Sequence, residues 1–185
     1  MILRKERDAM SYLKELSQVT LEDFLAMPKE EGLTYEFIDG AVMMSPRSAI
    51  KHQRISGNLY YQFRTILKDK HCEPIQEADL ILDEQNFVPD LMVVCEENLD
   101  DMAHYDKPPL LVVEILSPSS ASRDYFVKRR AYKTLGVQEY WIVSPEETCI
   151  MVVCFTTDEE CRYCEGTVKS YVLPEVSVPL EDVFS

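Results

Sequence analysis

The chain has 185 residues, of which 33 are Asp or Glu and 19 are Lys or Arg, for a formal net charge of -14. That length supports one domain with a sizeable core, and that acidity argues against a general nucleic-acid coat, which needs a basic surface. No apolar run reaches the roughly 18 residues of a membrane span. Met1-Ile2-Leu3-Arg4-Lys5-Glu6-Arg7-Asp8 lacks the apolar core of a signal peptide, so a cytoplasmic protein without membrane contact is expected.

Residues 1–18 are charged and weakly patterned, and read as an N-terminal extension to a single domain over 19–185. Thr20 to Met27 reads as a short helix, with Thr20 as cap, Asp23 in the first turn and Pro28 after the end. Tyr35-Glu36-Phe37-Ile38 and Ala41-Val42-Met43-Met44 flank Asp39-Gly40, a two-residue turn signal, and predict a hairpin. A helix follows over about Ser48–Leu67, where Ile55, Leu59, Phe63 and Ile66 form a stripe at helical spacing, with His52 on its N-terminal extension.

Two strands are expected next, Ile75–Leu82 and Phe87–Val94, joined by Asp83-Glu84-Gln85-Asn86. A strand over Leu110–Leu116 ends at Ser117-Pro118, and a helix over about Ser122–Leu135 is stopped by Gly136. Glu139–Val143 reads as a strand, and Cys149–Phe155 with Thr167–Leu173 as a terminal hairpin. Ser177–Ser185 reads as a docking tail with Phe184 as its anchor.

The six cysteines are Cys72, Cys95, Cys149, Cys154, Cys161 and Cys164. Cys161 and Cys164 form a C-x-x-C with Cys149 and Cys154 upstream, which admits a zinc hairpin. Cys149 and Cys154, five apart, fall on opposite faces of a strand, so reduced thiols are the expected state.

The strand runs Val88–Val94 and Leu110–Leu116 each carry one carboxylate, Asp90 and Glu114. A carboxylate inside a buried strand is costly unless paired. Alternation places Asp90 with Met92 and Val94, and Glu114 with Val112 and Leu116, so neighbouring strands would converge both on one oxygen-ligand site suited to magnesium. On the following helix Val127, Ala131 and Leu135, with Tyr132 beside them, define an inward stripe that contains Lys128. Its ammonium either meets those carboxylates or a phosphate, or it snorkels to solvent. The remaining residues of the two basic clusters, Lys51 to Lys70 and Arg123 to Lys133, read as solvated helix faces, and Tyr132 and Trp141 as core.

Pro89-Asp90 followed by Glu114 in the next strand resembles the PD-(D/E)XK nuclease superfamily. The longer pattern comprises Tyr35-Glu36, Asp39-Gly40, Ser45-Pro46, His52, Pro89-Asp90, Val113-Glu114-Ile115-Leu116-Ser117-Pro118-Ser119, Asp124, Lys128, Tyr132 and Gly136 to Trp141. It resembles the bacterial putative restriction endonuclease family, formerly known as a domain of unknown function, over about Val19–Phe184. The resemblance implies an α/β (α+β) fold with a restriction-endonuclease-like core: a central mixed sheet flanked by helices, with extra N-terminal and C-terminal hairpins.

The resemblance also implies Mg2+ or Mn2+ held by Asp90, Glu114 and the backbone carbonyl of Ile115. The signature lysine usually lies two residues after the Glu, where this chain has Leu116, and the resemblance places it at Lys128 instead. Glu36, His52 and Glu77 are further site candidates: Glu36 shares a strand face with Ile38, and Glu77 shares one with Ile75, Asp79 and Ile81. The structural alternatives are an exposed strand position for Glu36, a hydrogen-bonded structural histidine for His52 and an exposed edge for Glu77.

The expected activity is metal-dependent phosphodiester hydrolysis, with DNA as substrate and a homodimer as the form that suits two strands. No G-x-S-x-G elbow or Walker loop offers another chemistry. The rivals are a catalytically inactive scaffold, motivated by the acidic surface and Leu116, and a hydrolase of another phosphate ester.

Overall fold

The computed structural model describes residues 19–96, 98–118 and 121–185. The N-terminal extension over 1–18 and Ser119 of the family pattern lie outside the described residues. The elements run α1 (Leu21–Ala26), β1 (Leu33–Ile38), β2 (Ala41–Pro46), α2 (Ile50–Ile66), β3 (Glu73–Ile75), β4 (Leu80–Leu82), β5 (Gln85–Phe87), β6 (Leu91–Val94) and β7 (Leu111–Ile115). A π-helical segment, Arg123–Lys128, then leads into α3 (Arg129–Thr134), β8 (Glu139–Ser144), β9 (Cys149–Cys154), β10 (Glu159–Tyr163), β11 (Thr167–Lys169), β12 (Ser177–Pro179) and α4 (Leu180–Phe184).

The main sheet has six strands in the order β10-β9-β8-β7-β6-β3. Its β7–β8 pair is parallel and the others are antiparallel, so the sheet is mixed, as the fold reading expects. The parallel pair requires a crossover, and Arg123–Thr134 supplies it. A second sheet, β2-β1-β5-β4, is antiparallel throughout.

Strand alternation divides the core. Leu91, Val93, Leu111, Val113 and Ile115 pack on Ile55, Leu59 and Phe63 of α2. Met92, Val94 and Val112 face the other way, toward Tyr132 of α3 and Ile38 and Phe87 of the second sheet. Asp90 and Glu114 follow that second parity, so both belong to the layer between the main sheet and the small one.

Several local readings agree with the coordinates for identifiable reasons. Thr20 and Asp23 form a reciprocal capping box on α1. Asp39 and Gly40 both take positive φ, at 51° and 78°, as the tight β1–β2 turn requires.

Three expectations are corrected. The two strands expected over Ile75–Leu82 and Phe87–Val94 are four short ones, because the chain breaks at Glu77, with φ 48°, and again before Asp90. Their inner halves, β4 and β5, leave the main sheet and join β1 and β2. The terminal hairpin pairs β9 with β10, whereas β11 pairs with β12. In the tail Val178, Leu180 and Val183 are buried in the core and Phe184 packs against it partly buried, so Phe184 shares the anchoring with three residues placed deeper.

The cysteines are also corrected. Disulfides join Cys72 to Cys95 and Cys149 to Cys164, leaving Cys154 and Cys161 free. Register explains both pairs: Glu73 opposes Val94 and Ile150 opposes Tyr163, so the cysteines one step beyond each pair face one another. The zinc hairpin is therefore ruled out, since two of its four sulfurs are bonded to each other.

Glu139 carries a stability prediction. It is fully buried on β8 and accepts hydrogen bonds from Trp141 Nε1 and from the backbone N–H groups of Tyr171 and Val172. Burial pushes its carboxyl above the usual range while those donors act in the opposite direction. Glu139→Ala strands the buried Trp141 indole and two part-buried backbone donors and should cost about 3 kcal/mol of unfolding free energy, read by urea denaturation; a loss below about 1 kcal/mol would contradict this account.

Candidate active site

The pairing of Leu91 with Val113, continued one residue outward, sets Asp90 opposite Glu114. Both line a cavity of about 220 Å³, together with Glu36, His52, Arg123 and Lys128. Asp90 sits just before β6, and its Oδ2 accepts a hydrogen bond from the Ile115 N–H at 2.6 Å. His52, near the start of α2, donates from Nε2 to the Ile115 carbonyl at 3.0 Å and lies 3.3 Å from Asp90 Oδ2. Nε2 must carry the proton, because both neighbours are acceptors.

Across the cavity, Glu114 is 3% exposed, and its Oε1 accepts from Lys128 Nζ and from Tyr132 OH, each at 2.8 Å. Lys128 Nζ also pairs with Glu36 Oε1 at 2.8 Å and with Asp124 Oδ1 at 3.6 Å. Lys128 is thus buried in the carboxylate layer, and the snorkelling alternative does not hold. Burial pushes the Glu114 carboxyl well above the usual carboxylate range, with Lys128 acting against it. For Lys128 burial works to lower the pKa, but its carboxylate neighbours, Glu114 first, raise it and keep the ammonium charged.

Glu36 is 2% exposed, not a solvated strand position, since the face it shares with Ile38 is covered by the main sheet. Its Oε1 additionally accepts the Val88 N–H at 3.0 Å. Glu77 departs from expectation: it stands in the turn between β3 and β4, accepts from Gln53 Nε2 at 3.0 Å and borders a neighbouring cavity that shares Asp90. Leu116 packs into the apolar layer, so the position two residues after Glu114 offers no cation.

Sequence reasoning missed Arg123 as a cavity residue and the polar role of Tyr132, which is core by burial and a hydrogen-bond donor at its tip. The signal for Tyr132 was its place four residues after Lys128. Arg123 had none beyond membership of a basic cluster.

Among the described residues the hydrogen bonds to Asp90 fall on Oδ2 and those to Glu114 on Oε1. This leaves Oδ1 and Oε2 for a cation, and the Ile115 carbonyl retains a second lone pair beside His52. Two carboxylates and a carbonyl are hard oxygen donors, a set that fits magnesium or manganese with water completing the shell. Among the described residues no group of three His, Cys, Asp or Glu side chains is arranged to hold a metal by itself.

His52 gives a pH prediction. Burial lowers its pKa, but the Asp90 hydrogen bond and charge outweigh burial and raise it above 6.5. A raised folded value means that His52 contributes stability fully below pH about 6.5, its unfolded value, and loses it as pH rises through the folded value. The unfolding free-energy gap between wild type and His52→Asn should therefore shrink with rising pH; a gap that is flat or grows from pH 5 to about 8 would contradict it.

Three comparisons bear on this arrangement. A crystal structure described as a putative nuclease belonging to DUF820, from Anabaena variabilis, superposes with a TM-score of 0.79 at 22% identity, covering 90% of this chain and 97% of that one. Two uncharacterized Synechocystis proteins are 31% and 29% identical over 128 and 132 residues, covering 66% and 68% of this chain and 67% and 74% of their own. The sequence model of the Uma2 family, described as "Putative restriction endonuclease", matches residues 21–184, so the chain belongs to that family.

Proposed function

We propose that this protein is a metal-dependent endonuclease acting on DNA, with residues 19–185 as one domain and a homodimer presenting one site to each strand. The observation that carries the reading is the opposition of Asp90 and Glu114 across the β6–β7 pair, with the hydrogen bonds to each from the described residues confined to one oxygen. In this reading Asp90, Glu114 and the Ile115 carbonyl hold Mg2+ or Mn2+. The cation, when bound, lowers the pKa of a coordinated water and polarises the scissile phosphate.

The chain's own residues supply the frame. The Ile115 N–H orients the Asp90 carboxylate, and His52 fixes the Ile115 carbonyl. Tyr132 and Lys128 orient Glu114, and Lys128 offsets the charge of Glu36 and Glu114. Glu77 holds no ligand position.

Incubation of purified protein with magnesium or manganese and a panel of DNA, RNA and nucleotides tests the reading, and DNA should be cut internally. The inactive scaffold has one observation in its favour: three carboxylates surround the Lys128 ammonium. A protein that binds manganese calorimetrically yet cuts nothing in the panel would favour that rival.

A further inference from the structure

Arg47, Arg123 and Lys128 line the cavity, Arg47 with an exposed side chain; of the two less exposed cations, Lys128 is poorly placed to meet a substrate phosphate. An ammonium has three N–H donors. Those of Lys128 face Glu114 Oε1 and Glu36 Oε1 at 2.8 Å and Asp124 Oδ1 at 3.6 Å, in a site where the side chain is 3% exposed. Turning the ammonium to a phosphate would leave a buried carboxylate without its partner.

Arg123 stands differently. It lines the same cavity one turn earlier, and its side chain is 18% exposed. A guanidinium has five donors in a planar fork. Among the described residues Arg123 makes one hydrogen bond, from Nη2 to Ser45 Oγ at 3.2 Å. Its carboxylate neighbours, Glu36 Oε2 and Asp124 Oδ1, are both at 3.8 Å, beyond hydrogen-bond reach. Its Nε is buried with no hydrogen-bond partner among the described residues. The charge is held in place by Ser45 while most of the fork remains uncommitted.

We propose that Arg123 is a phosphate-gripping residue of this site, taking the non-bridging oxygens of a phosphodiester in its fork while Lys128 remains a fixed internal counter-charge. The inference rests on the nuclease reading for its substrate class. The competing role is a strut, in which Arg123 merely ties β2 to the crossover segment through Ser45.

The experiment measures binding of a short labelled DNA duplex in calcium, a hard-oxygen cation that suits carboxylate sites, at several salt concentrations, alongside cleavage in magnesium. Arg123→Ala should weaken duplex binding about tenfold or more, as expected for losing a charge-assisted contact. It should also lower the salt slope by about one phosphate contact. Manganese titration and the urea midpoint should stay close to wild type. Arg123→Lys should recover part of the affinity, because the charge returns without the fork.

Unchanged duplex affinity and salt slope in Arg123→Ala overturn the proposal, as does a lowered urea midpoint that accounts for the whole loss. If wild type cleaves and Arg123→Ala cleaves equally, the grip fails and the nuclease reading stands. If wild type binds the duplex through Arg123 and cuts nothing, the nuclease reading fails and the grip stands. If wild type does not bind the duplex at all, the proposal is overturned.

Discussion

Asp90→Ala and Glu114→Ala should each abolish magnesium-dependent cleavage, by about a thousandfold or more. The expectation follows from charge: each change removes one of two carboxylates facing the same cavity, and metal-assisted stabilisation of a phosphoryl transition state is worth several kcal/mol, at about 1.4 kcal/mol per tenfold. The isosteric changes isolate the effect. Asp90→Asn keeps an acceptor for the Ile115 N–H, and Glu114→Gln keeps one for Tyr132 and Lys128. Both should fold, lose manganese binding by calorimetry and lose cleavage together. Activity that persists unchanged in Asp90→Ala would belong to a contaminating enzyme, and a wild-type rate in purified Asp90→Asn would contradict the metal-ligand role.

Lys128→Ala should produce the largest loss of stability, about 3–5 kcal/mol, because it leaves buried carboxylates without their counter-charge. Glu36, Glu114 and Asp124 are each 2–3% exposed, so water screens them little. The resemblance that places the signature lysine of the nuclease superfamily at Lys128 implies an effect on rate. The geometry adds a larger effect on folding, since Lys128 pairs at 2.8 Å with two carboxylates from different strands. A double-mutant cycle separates these contributions. Glu36→Gln in the Lys128→Ala background removes one orphaned charge and should recover part of the unfolding free energy. A single-mutant loss under about 1 kcal/mol, or no recovery in the double mutant, would show that the ammonium does not hold this layer together.

Much of this architecture is legible from local chemistry. The Asp39-Gly40 turn fixes its hairpin, and the α2 stripe of Ile55, Leu59 and Phe63 reads directly as the face packed on the main sheet. The parity of Asp90 and Glu114 also follows from alternation, since Asp90 stands two residues before Met92 and Glu114 two after Val112, on the face those residues present to the small sheet.

What was not legible depends on distant packing. Glu36 looks exposed until the small sheet is folded over the main one. Nothing local marks the transfer of β4 and β5 to that sheet, beyond a left-handed Glu77 that sequence does not reveal. The strand Glu159–Tyr163 is charged and half-exposed, with no apolar alternation to announce it, and so its pairing with β9 and the Cys149–Cys164 link both went unread. The wide turn over Arg123–Lys128 is equally silent in sequence, although it carries two of the cavity's cations, Arg123 and Lys128.

The most direct measurement is a manganese-soaked crystal with anomalous scattering recorded for the metal. The account predicts a peak between Asp90 and Glu114, at about 2.0–2.3 Å from Asp90 Oδ1 and Glu114 Oε2, as hard-oxygen ligation requires, and no peak there in Asp90→Asn. A cavity that stays empty at saturating manganese, or a peak held elsewhere by residues such as Glu77, would contradict it.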